Sequence, residues 1–532
     1  MKGIGLLGVR FRLGWVPFTC IAVAATAMTP WKTLEFAQGQ QPSAGVLRVT
    51  SRLVTLDVAV IDKDGKPVTD LQRGDFTIYE NGTVQDLRSF EAFSTHLLPS
   101  ALTSNSIQNT ADLQRLLPDA PVTVLVLDEF NTAFSDNAFA RETLRKYLLA
   151  QPAVLPQPMM FLVATDAGFQ QAVDYTLDKE RLLQALAHLP GVLPGGLMRT
   201  EGTPEGRAIR FAQTLETLEQ VANATAGHRG RKNLIWVGRG FETIDLRNEP
   251  DHQVQLVKAA AEGAVNALRQ AHASLYTIDP TLSTKLAGGD GVGSNPNAFT
   301  NETHNATDPF DGTVSFNTLA PESGGRAIAL YNDLDVEIAD SVREGSAYYG
   351  MSYVPTDAVD ANHPYREIEV RVNRPGIRVI TRRGYYSVTP PLPPRTPVQV
   401  LKAKGFDLGN AIGSGLTYTG LSLVAGVSPR DPAMCIVQIP TREIQWESGP
   451  EGENSAHLTL VVVAIDAKGR PIGKNVKDVM AKLGPDKKLS EIPFTTLQVV
   501  LPDVKGVTSD RVAVRDEISG KIGTAELPSS AK

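Results

Sequence analysis

Cysteine is nearly absent from this chain: its 532 residues include only Cys20 and Cys435. If the leader described below is removed, Cys435 stands alone and no intrachain disulfide can form, whatever the compartment allows. No Cys–Cys or His–Cys pair has metal-site spacing, and the eight histidines are scattered without a triad pattern. There is no GxSxG nucleophile elbow and no HExxH helix. Gly324-Gly325-Arg326 precedes a strand, and Gly195-Gly196 and Gly202 lack the strand-GxGxxG-helix setting of a nucleotide site. A basic excess is missing too. With 52 Lys and Arg against 58 Asp and Glu, the net charge of −6 argues against a general nucleic-acid binder, whose affinity rests on a basic face. After the first forty residues no segment is apolar enough to span a bilayer.

What is present is an ordinary globular balance, 42% hydrophobic and 21% charged, with material for three or four domains at roughly 100–200 residues each. Residues 1–40 read as a signal peptide and leader. Lys2, Arg10 and Arg12 supply positive charge, Leu13–Met28 is apolar, and Ala25-Thr26-Ala27 has the small residues of a cleavage site. The alternative is an uncleaved anchor; the stretch is shorter than the usual ~20 residues and Pro17 interrupts it, which favours cleavage. A lipoprotein reading of Cys20 meets a poor lipobox in Val16-Pro17-Phe18-Thr19. The mature chain is therefore expected to be exported, periplasmic or extracellular, without a transmembrane segment.

Residues 46–93 read as a small β unit. Val54, Leu56, Val58 and Val60 form the more apolar face of its first strand, opposite Leu53, Thr55, Asp57, Ala59 and Ile61. Asp62-Lys63-Asp64-Gly65 supplies turn chemistry, and Phe76–Glu80 ends at the hairpin signal Asn81-Gly82. A polar stretch makes 94–120 a linker. From 121 to 344 strands alternate with helices, beginning with the continuous apolar run Val122–Leu127 of a strand buried on both faces. This is the pattern of a doubly wound α/β domain with a mostly parallel sheet. A Gly/Asn/Thr-rich insert at 281–320 reads as a surface loop that is poorly ordered without a partner. Three strands (Ala347–Val354, Tyr365–Val372, Ile377–Val388) fill 345–389, and this unit is expected to share a β-sandwich with 46–93. Residues 390–397 form a proline-rich linker, and 398–532 a C-terminal β-rich domain with Cys435 as a buried core thiol.

The segments DGKPVTDLQRGDFTIYENGTVQDLRSF, VLVLDEFNT, RKNLIWVGRGFE, SGGRAIALYNDL and RPGIRVITRRGYY, in this order across residues 46–389, resemble the acidobacterial VWFA-related family of exported proteins. The resemblance implies a von Willebrand factor type A-like core, so the expected architecture is multidomain α/β plus β, with that core flanked by β-sandwich units. It implies no particular ligand.

In A domains that bind metal, DxSxS ends the first strand, a later loop adds a threonine, and an aspartate follows the fourth strand. A hard divalent cation wants such oxygens in an open shell. The resemblance places Asp128 at the first position, Phe130 at the first serine, Thr132 at the second, Thr203 at the loop threonine and Arg239 at the final aspartate. Three oxygen ligands remain beside a guanidinium, a degenerate metal-dependent adhesion site. No cofactor is expected, Mg²⁺ being the one that the remaining oxygens leave open. Asp128, Thr132, Thr203 and Arg239 then form a candidate ligand-binding face, with Arg239 expected to replace the cation by pairing with Asp128. The plainer alternative is that Asp128 and Thr132 cap the next helix and bind loop amides. Asp166 after its strand reads as a loop cap, and Glu302, His304, Asp308 and Asp311 lack regular Ca²⁺-loop spacing.

The function expected from all this is an exported protein-binding or adhesion-type module with an unknown protein ligand, and not an enzyme. The alternatives are a structural or assembly component of the cell envelope and a hydrolase whose site escapes these patterns. The leader yields a direct prediction. Amino-terminal sequencing of the mature protein should show cleavage near Ala27, and a cytoplasmic product retaining Met1 would refute export.

Overall fold

A computed structural model describes residues 53–93, 98–99, 101–165, 168–190, 203–247, 249–281, 308–328, 333–357, 364–388, 405, 407–449, 452–484 and 488–528. The leader 1–40, Asp166, Gly195-Gly196, Gly202, most of the insert with Glu302 and His304, and the linker 390–397 lie outside them.

Strand β1 (Val54–Asp62) turns its apolar face inward as the alternation requires: Val54, Leu56, Val58 and Val60 are all buried in one cluster. β2 (Phe76–Glu80) and β3 (Thr83–Gln85) form a hairpin whose Asn81 and Gly82 have φ of 48° and 78°, the left-handed pair that a two-residue turn needs. β4 (Leu87–Glu91) completes this first segment.

The segment expected to be a linker holds a helix, α1 (Thr110–Leu116), capped by Asn109, whose side chain accepts from the Asp112 N–H. Ile107, Leu113 and Leu117 are buried in the α/β core, so 94–120 is only partly a connection. The polar residues around them mask this short apolar set in a composition-based reading.

β5 (Val122–Asp128) lies between two parallel neighbours, β6 (Val154–Thr165) and β8 (Lys232–Val237), with Leu125 opposite both Phe161 and Ile235. All seven β5 residues are buried, which is why the run does not alternate. β7 (Gly168–Asp178) returns antiparallel as an edge. β10 (Ala273–Ile278) and the short β12 (Ala327–Ile328) extend the other side. The order β12-β10-β8-β5-β6-β7 is a doubly wound, mixed six-stranded sheet whose chain reverses direction of growth at β5. Helices α2 (Phe134–Ala150), α3 (Lys179–His188), α4 (Pro204–Thr225), α5 (Asp251–Gln270), α6 (Phe316–Ser323) and α7 (Leu334–Ser346) accompany it.

The far end of the insert is not a loop. β11 (Thr313–Val314) pairs with β9 (Ile244–Asp245), and α6 starts at the Ser315 cap. Phe310, Val314, Phe316 and Leu319 are buried in the α/β core. Those four apolar side chains pack well enough to order 308–320, against the expectation from overall composition.

β13 (Tyr349–Tyr353), β14 (Tyr365–Val372), β15 (Ile377–Ile380) and β16 (Gly384–Tyr386) then return to the first segment. They form two four-stranded sheets with it, β15-β1-β13-β4 and β16-β14-β2-β3. Val58 faces Tyr349, Val60 faces Val379 and Ile78 faces Val370. The strand expected at Ile377–Val388 is two strands, because the chain leaves one sheet after Ile380 and enters the other at Gly384.

In the C-terminal region β17 (Val424–Val427), β18 (Met434–Pro440) and β22 (Phe494–Val500) make one sheet. β19 (Glu447–Ser448), β20 (Asn454–Ile465), β21 (Pro471–Leu483), β23 (Ser509–Asp516) and β24 (Ile522–Pro528) make another. Cys435 is buried between them with Val437, Leu458 and Val512, and burial pushes its thiol up to about 11. Thr419 ties this region to the end of α4, its N–H donating to Ala224 O at 2.9 Å and its hydroxyl accepting from Gly227 N–H at 3.0 Å. Among the described residues no helix is long and apolar enough to cross a membrane.

Tyrosines join the α/β unit to the paired sheets. Tyr365 donates to Glu322 at 2.7 Å and Tyr386 to Asp308 at 2.8 Å. Burial, reinforced by Asp308 and Glu367, pushes the Glu322 carboxyl up to about 7 against the opposing effects of Tyr365 and Arg383. Its folded pKa therefore exceeds its unfolded value of about 4.3, so its contribution to stability is complete below that value and is lost as pH rises through about 7. Glu322→Gln keeps an acceptor for Tyr365 and removes the ionisation. Urea unfolding should show the wild type losing more stability between pH 5 and pH 8 than the variant, by on the order of 2 kcal/mol. Equal losses in both proteins would refute this role for Glu322.

Candidate functional site

β5 delivers Asp128 to the carboxyl end of the sheet, fully buried, at the point where open α/β sheets place ligands. A carboxylate there must be hydrogen-bonded or paired. Five N–H donors do this. Oδ1 accepts from the backbones of Phe130 (3.1 Å) and Asn131 (2.9 Å). Oδ2 accepts from Asn131 Nδ2 (3.0 Å), Trp236 Nε1 (3.1 Å) and Gly240 N–H (3.0 Å). Burial raises the Asp128 carboxyl above its usual range, and the donors from Asn131, Trp236 and Gly240 offset part of the rise.

Arg239 does not take the expected place on Asp128. Its backbone N–H donates to Thr132 Oγ1 at 3.1 Å, while its guanidinium turns to Glu242 at 3.6 Å with 40% of the side chain exposed. The reason is local backbone geometry. Gly238 and Gly240 have φ of 150° and 66°, and these conformations bring the Gly240 N–H onto Asp128. A Cβ on Gly238 would lie 2.4 Å from Asp128 Cβ and 2.7 Å from Thr132 Oγ1; one on Gly240 would lie 2.2 Å from the Phe316 ring. The segment Gly238-Arg239-Gly240 thus presents backbone to the strand end and points its one long side chain away from Asp128.

Thr132 is buried, and its hydroxyl serves the Arg239 amide instead of capping a helix; the residue before α2 is Ala133. Thr203 caps α4, accepting from Gly206 N–H at 3.0 Å, with Pro204 at the first helical position. Asp279, at the end of β10, accepts from the Thr281 N–H and hydroxyl; burial raises its carboxyl, and the charge of Arg239 draws it back. Thr203 is not among the groups that hold Asp128, whereas Thr132 and Arg239 meet beside it through a backbone contact.

Two important residues escaped the motif comparison. Asn131 is buried and bridges Asp128 to Thr214 Oγ1. Trp236, 1% exposed, packs on Phe316 with ring centres 5.2 Å apart; Phe241 and Phe211 continue the aromatic cluster. The available signals were the Asn between the two positions of the serine motif and a Trp inside an otherwise aliphatic strand. Glu129 is also buried, ion-paired to Arg141. For a divalent cation this donor set is a poor fit: both Asp128 oxygens face N–H groups, which a cation would have to displace. Among the described residues no cluster of three or more His, Cys, Asp or Glu is arranged to hold a metal ion, and Asp308 is ion-paired to Lys258.

Gly238→Ala should therefore destabilise the protein by about 2–4 kcal/mol through strain and collision with Asp128 and Thr132. Gly74→Ala, where a Cβ meets nothing within 4 Å, is the control and should be nearly neutral. Urea unfolding of both variants checks this, and a Gly238→Ala protein as stable as the control would show that the close approach is not needed.

Comparison with known proteins adds little to this geometry. No family model matches the chain, and no curated relative matches it. Among solved structures, the chain is similar to one described as "Crystal Structure of the SpRpn10 VWA domain", at 13% identity and a TM-score of 0.17, over 30% of this chain and 88% of that one. The fold class rests on the strand order and register described above: a mixed α/β chain with several sheets, one of them doubly wound.

Proposed function

We propose that the protein is an exported protein-binding module that engages an acidic group of its partner at the carboxyl end of the six-stranded sheet, through Arg239 and without a metal ion. The supporting observation is the division of labour at that edge. Neutral N–H donors satisfy Asp128, so Arg239 is not consumed by it and keeps a half-exposed guanidinium in a loose 3.6 Å pair with Glu242. A partner carboxylate can displace such a pair and gain two parallel charge-assisted hydrogen bonds. The absence of recognised catalytic patterns accords with binding, and the leader segment with export.

A second reading, a structural or assembly component of the envelope, draws on the way the α/β unit is built into its neighbours. Strand pairing on both sides of its sequence and the Thr419 contacts with α4 suit a fixed spacer.

Capture from a native envelope fraction by the full chain separates the two. Arg239→Glu should leave the melting temperature within about 1 °C, since the site is half-exposed. It should reduce capture at least about tenfold, the equivalent of one lost charge-assisted contact, while EDTA leaves wild-type capture intact. Capture that survives the substitution moves the binding surface elsewhere and favours the spacer reading. Capture that requires added Mg²⁺ overturns the metal-free mechanism.

A further inference from the structure

Where the far end of the insert meets α5, Lys258 Nζ lies in direct contact with Asp308 Oδ2. The two side chains are only 20% and 23% exposed. Asp311, more exposed and 3.8 Å from the same ammonium, is a looser second partner. What surrounds the Asp308 carboxyl sets this contact apart from a surface ion pair. Its other oxygen, Oδ1, accepts from two donors, the Phe310 N–H at 2.9 Å and the Tyr386 hydroxyl at 2.8 Å. The Phe310 and Tyr386 rings, both buried, stack with centres 6.3 Å apart. One oxygen thus sits between two fixed donors and the other lies against an amine. Donors placed in this way stabilise negative charge that develops on a carbonyl oxygen under attack.

A third group completes the arrangement. Glu262 follows Lys258 by one turn on the same face of α5, a spacing of about 5–6 Å between Cβ atoms. It is 3% exposed, and its Oε2 has no hydrogen-bond partner among the described residues. Burial, and then the charge of Asp308, push its carboxyl up to about 7 against the opposing charge of Lys258. Such a group takes up and returns a proton readily near neutral pH.

We propose that Lys258 and Asp308 join in an intramolecular amide bond, formed by the folded chain itself with Glu262 carrying the proton. The ion pair first passes one proton from Nζ to Oδ2, giving an amine and a carboxylic acid. Nζ attacks Cγ, and Oδ1 takes the negative charge under the Phe310 N–H and the Tyr386 hydroxyl. Glu262 removes a proton from Nζ and delivers it to Oδ2, which leaves as water while Oδ1 returns to a carbonyl. The Nζ–Cγ bond replaces the Cγ–Oδ2 bond, and nothing is oxidised or reduced. Holding the amine against the carboxyl removes the entropic cost of encounter. The reaction is needed once per molecule, so a small neutral fraction of the pair suffices. The product exchanges two partly desolvated charges for one neutral amide. The competing dehydration, ring closure of an aspartate onto the next backbone nitrogen, is closed to Asp308 because Pro309 has no N–H.

Mass spectrometry of the full chain tests this. After storage near neutral pH and unfolding, the wild type should weigh one water less than its sequence from the determined amino terminus. Trypsin should release a branched peptide that joins Lys258 to Asp308. Lys258→Arg keeps the positive charge and should restore the full mass, and Glu262→Gln should slow the loss of water at least about tenfold. A wild-type chain of full mass without a branched peptide identifies an ordinary ion pair and overturns the proposal, and this reading needs no variant to fold. A water loss that persists in Lys258→Arg overturns it as well, and an unchanged rate in Glu262→Gln removes Glu262 from the mechanism.

Discussion

A single ionisable group, Asp128, sits at the end of the central strand with no exposure to water, and much of the surrounding backbone is arranged to make that tolerable. An unsatisfied buried carboxylate costs several kcal/mol. Hydrogen bonds to a charged group return roughly 1.5–3 kcal/mol each. Burial still prevails in direction, since the carboxyl remains raised, so the donors reduce the cost without removing it. Each donor imposes its own requirement. The Asn131 side chain must stay inside, the Trp236 indole must lie within the sheet layer, and Gly240 must expose its amide. The last requires left-handed backbone at Gly240 and a residue without Cβ at Gly238, and it seats Phe316 against the loop. The ordered end of the insert is therefore part of the same arrangement, although it is more than 180 residues away in sequence.

The α/β unit interrupts the two paired sheets in sequence, so β1 cannot complete its sheet until the chain returns at β13. Closing so long a segment costs entropy slowly, as the logarithm of its length, but it places these sheet contacts late in any folding order. Tyrosines along the returning segment provide directional contacts at that stage. Tyr365 and Tyr386 reach Glu322 and Asp308 of the α/β unit, while Tyr353 and Tyr385 close on Glu80 of the first segment. Each pairs an amphipathic phenol with a carboxylate beside apolar surface, which fixes register more tightly than hydrophobic contact alone.

Much of the fold was legible because it follows from periodicity. The alternation of Val54, Leu56, Val58 and Val60 marked the inner face of β1, and the unbroken Val122–Leu127 run marked a strand covered on both sides. Failures came where a few residues outweigh composition. Phe310, Val314, Phe316 and Leu319 order a stretch whose average is polar, and Leu113 does the same in the presumed linker. At the site, Asp128 and Thr132 were recognisable by position, and the alternative in which Asp128 binds loop amides matches its contacts with Phe130 and Asn131. Arg239 was misread because motif alignment compares side chains, whereas here the backbone of Gly238-Arg239-Gly240 occupies the strand end. Asn131 was passed over because it falls between the two serine positions of the pattern.

The two ends of the sheet are electrostatically complementary to the helices around it. In a doubly wound unit helices start near the carboxyl ends of the strands, and at that end loop and side-chain N–H groups gather on Asp128. The amino end collects helix C-termini, where carbonyl groups favour cations. Lys232 shows this most clearly: its ammonium reaches Ala271 O, just past α5, at 2.6 Å and also His228 O beyond α4, while burial pulls its pKa down to about 7. Arg231 likewise finds Gly324 O, at the end of α6. Arg382 belongs to the crossing between β15 and β16, which packs against the end of α6: Arg383 N–H donates to Pro321 O at 3.3 Å. The amino end thus meets the buried charges of Lys232 and, in part, Arg231 with backbone carbonyls at helix ends.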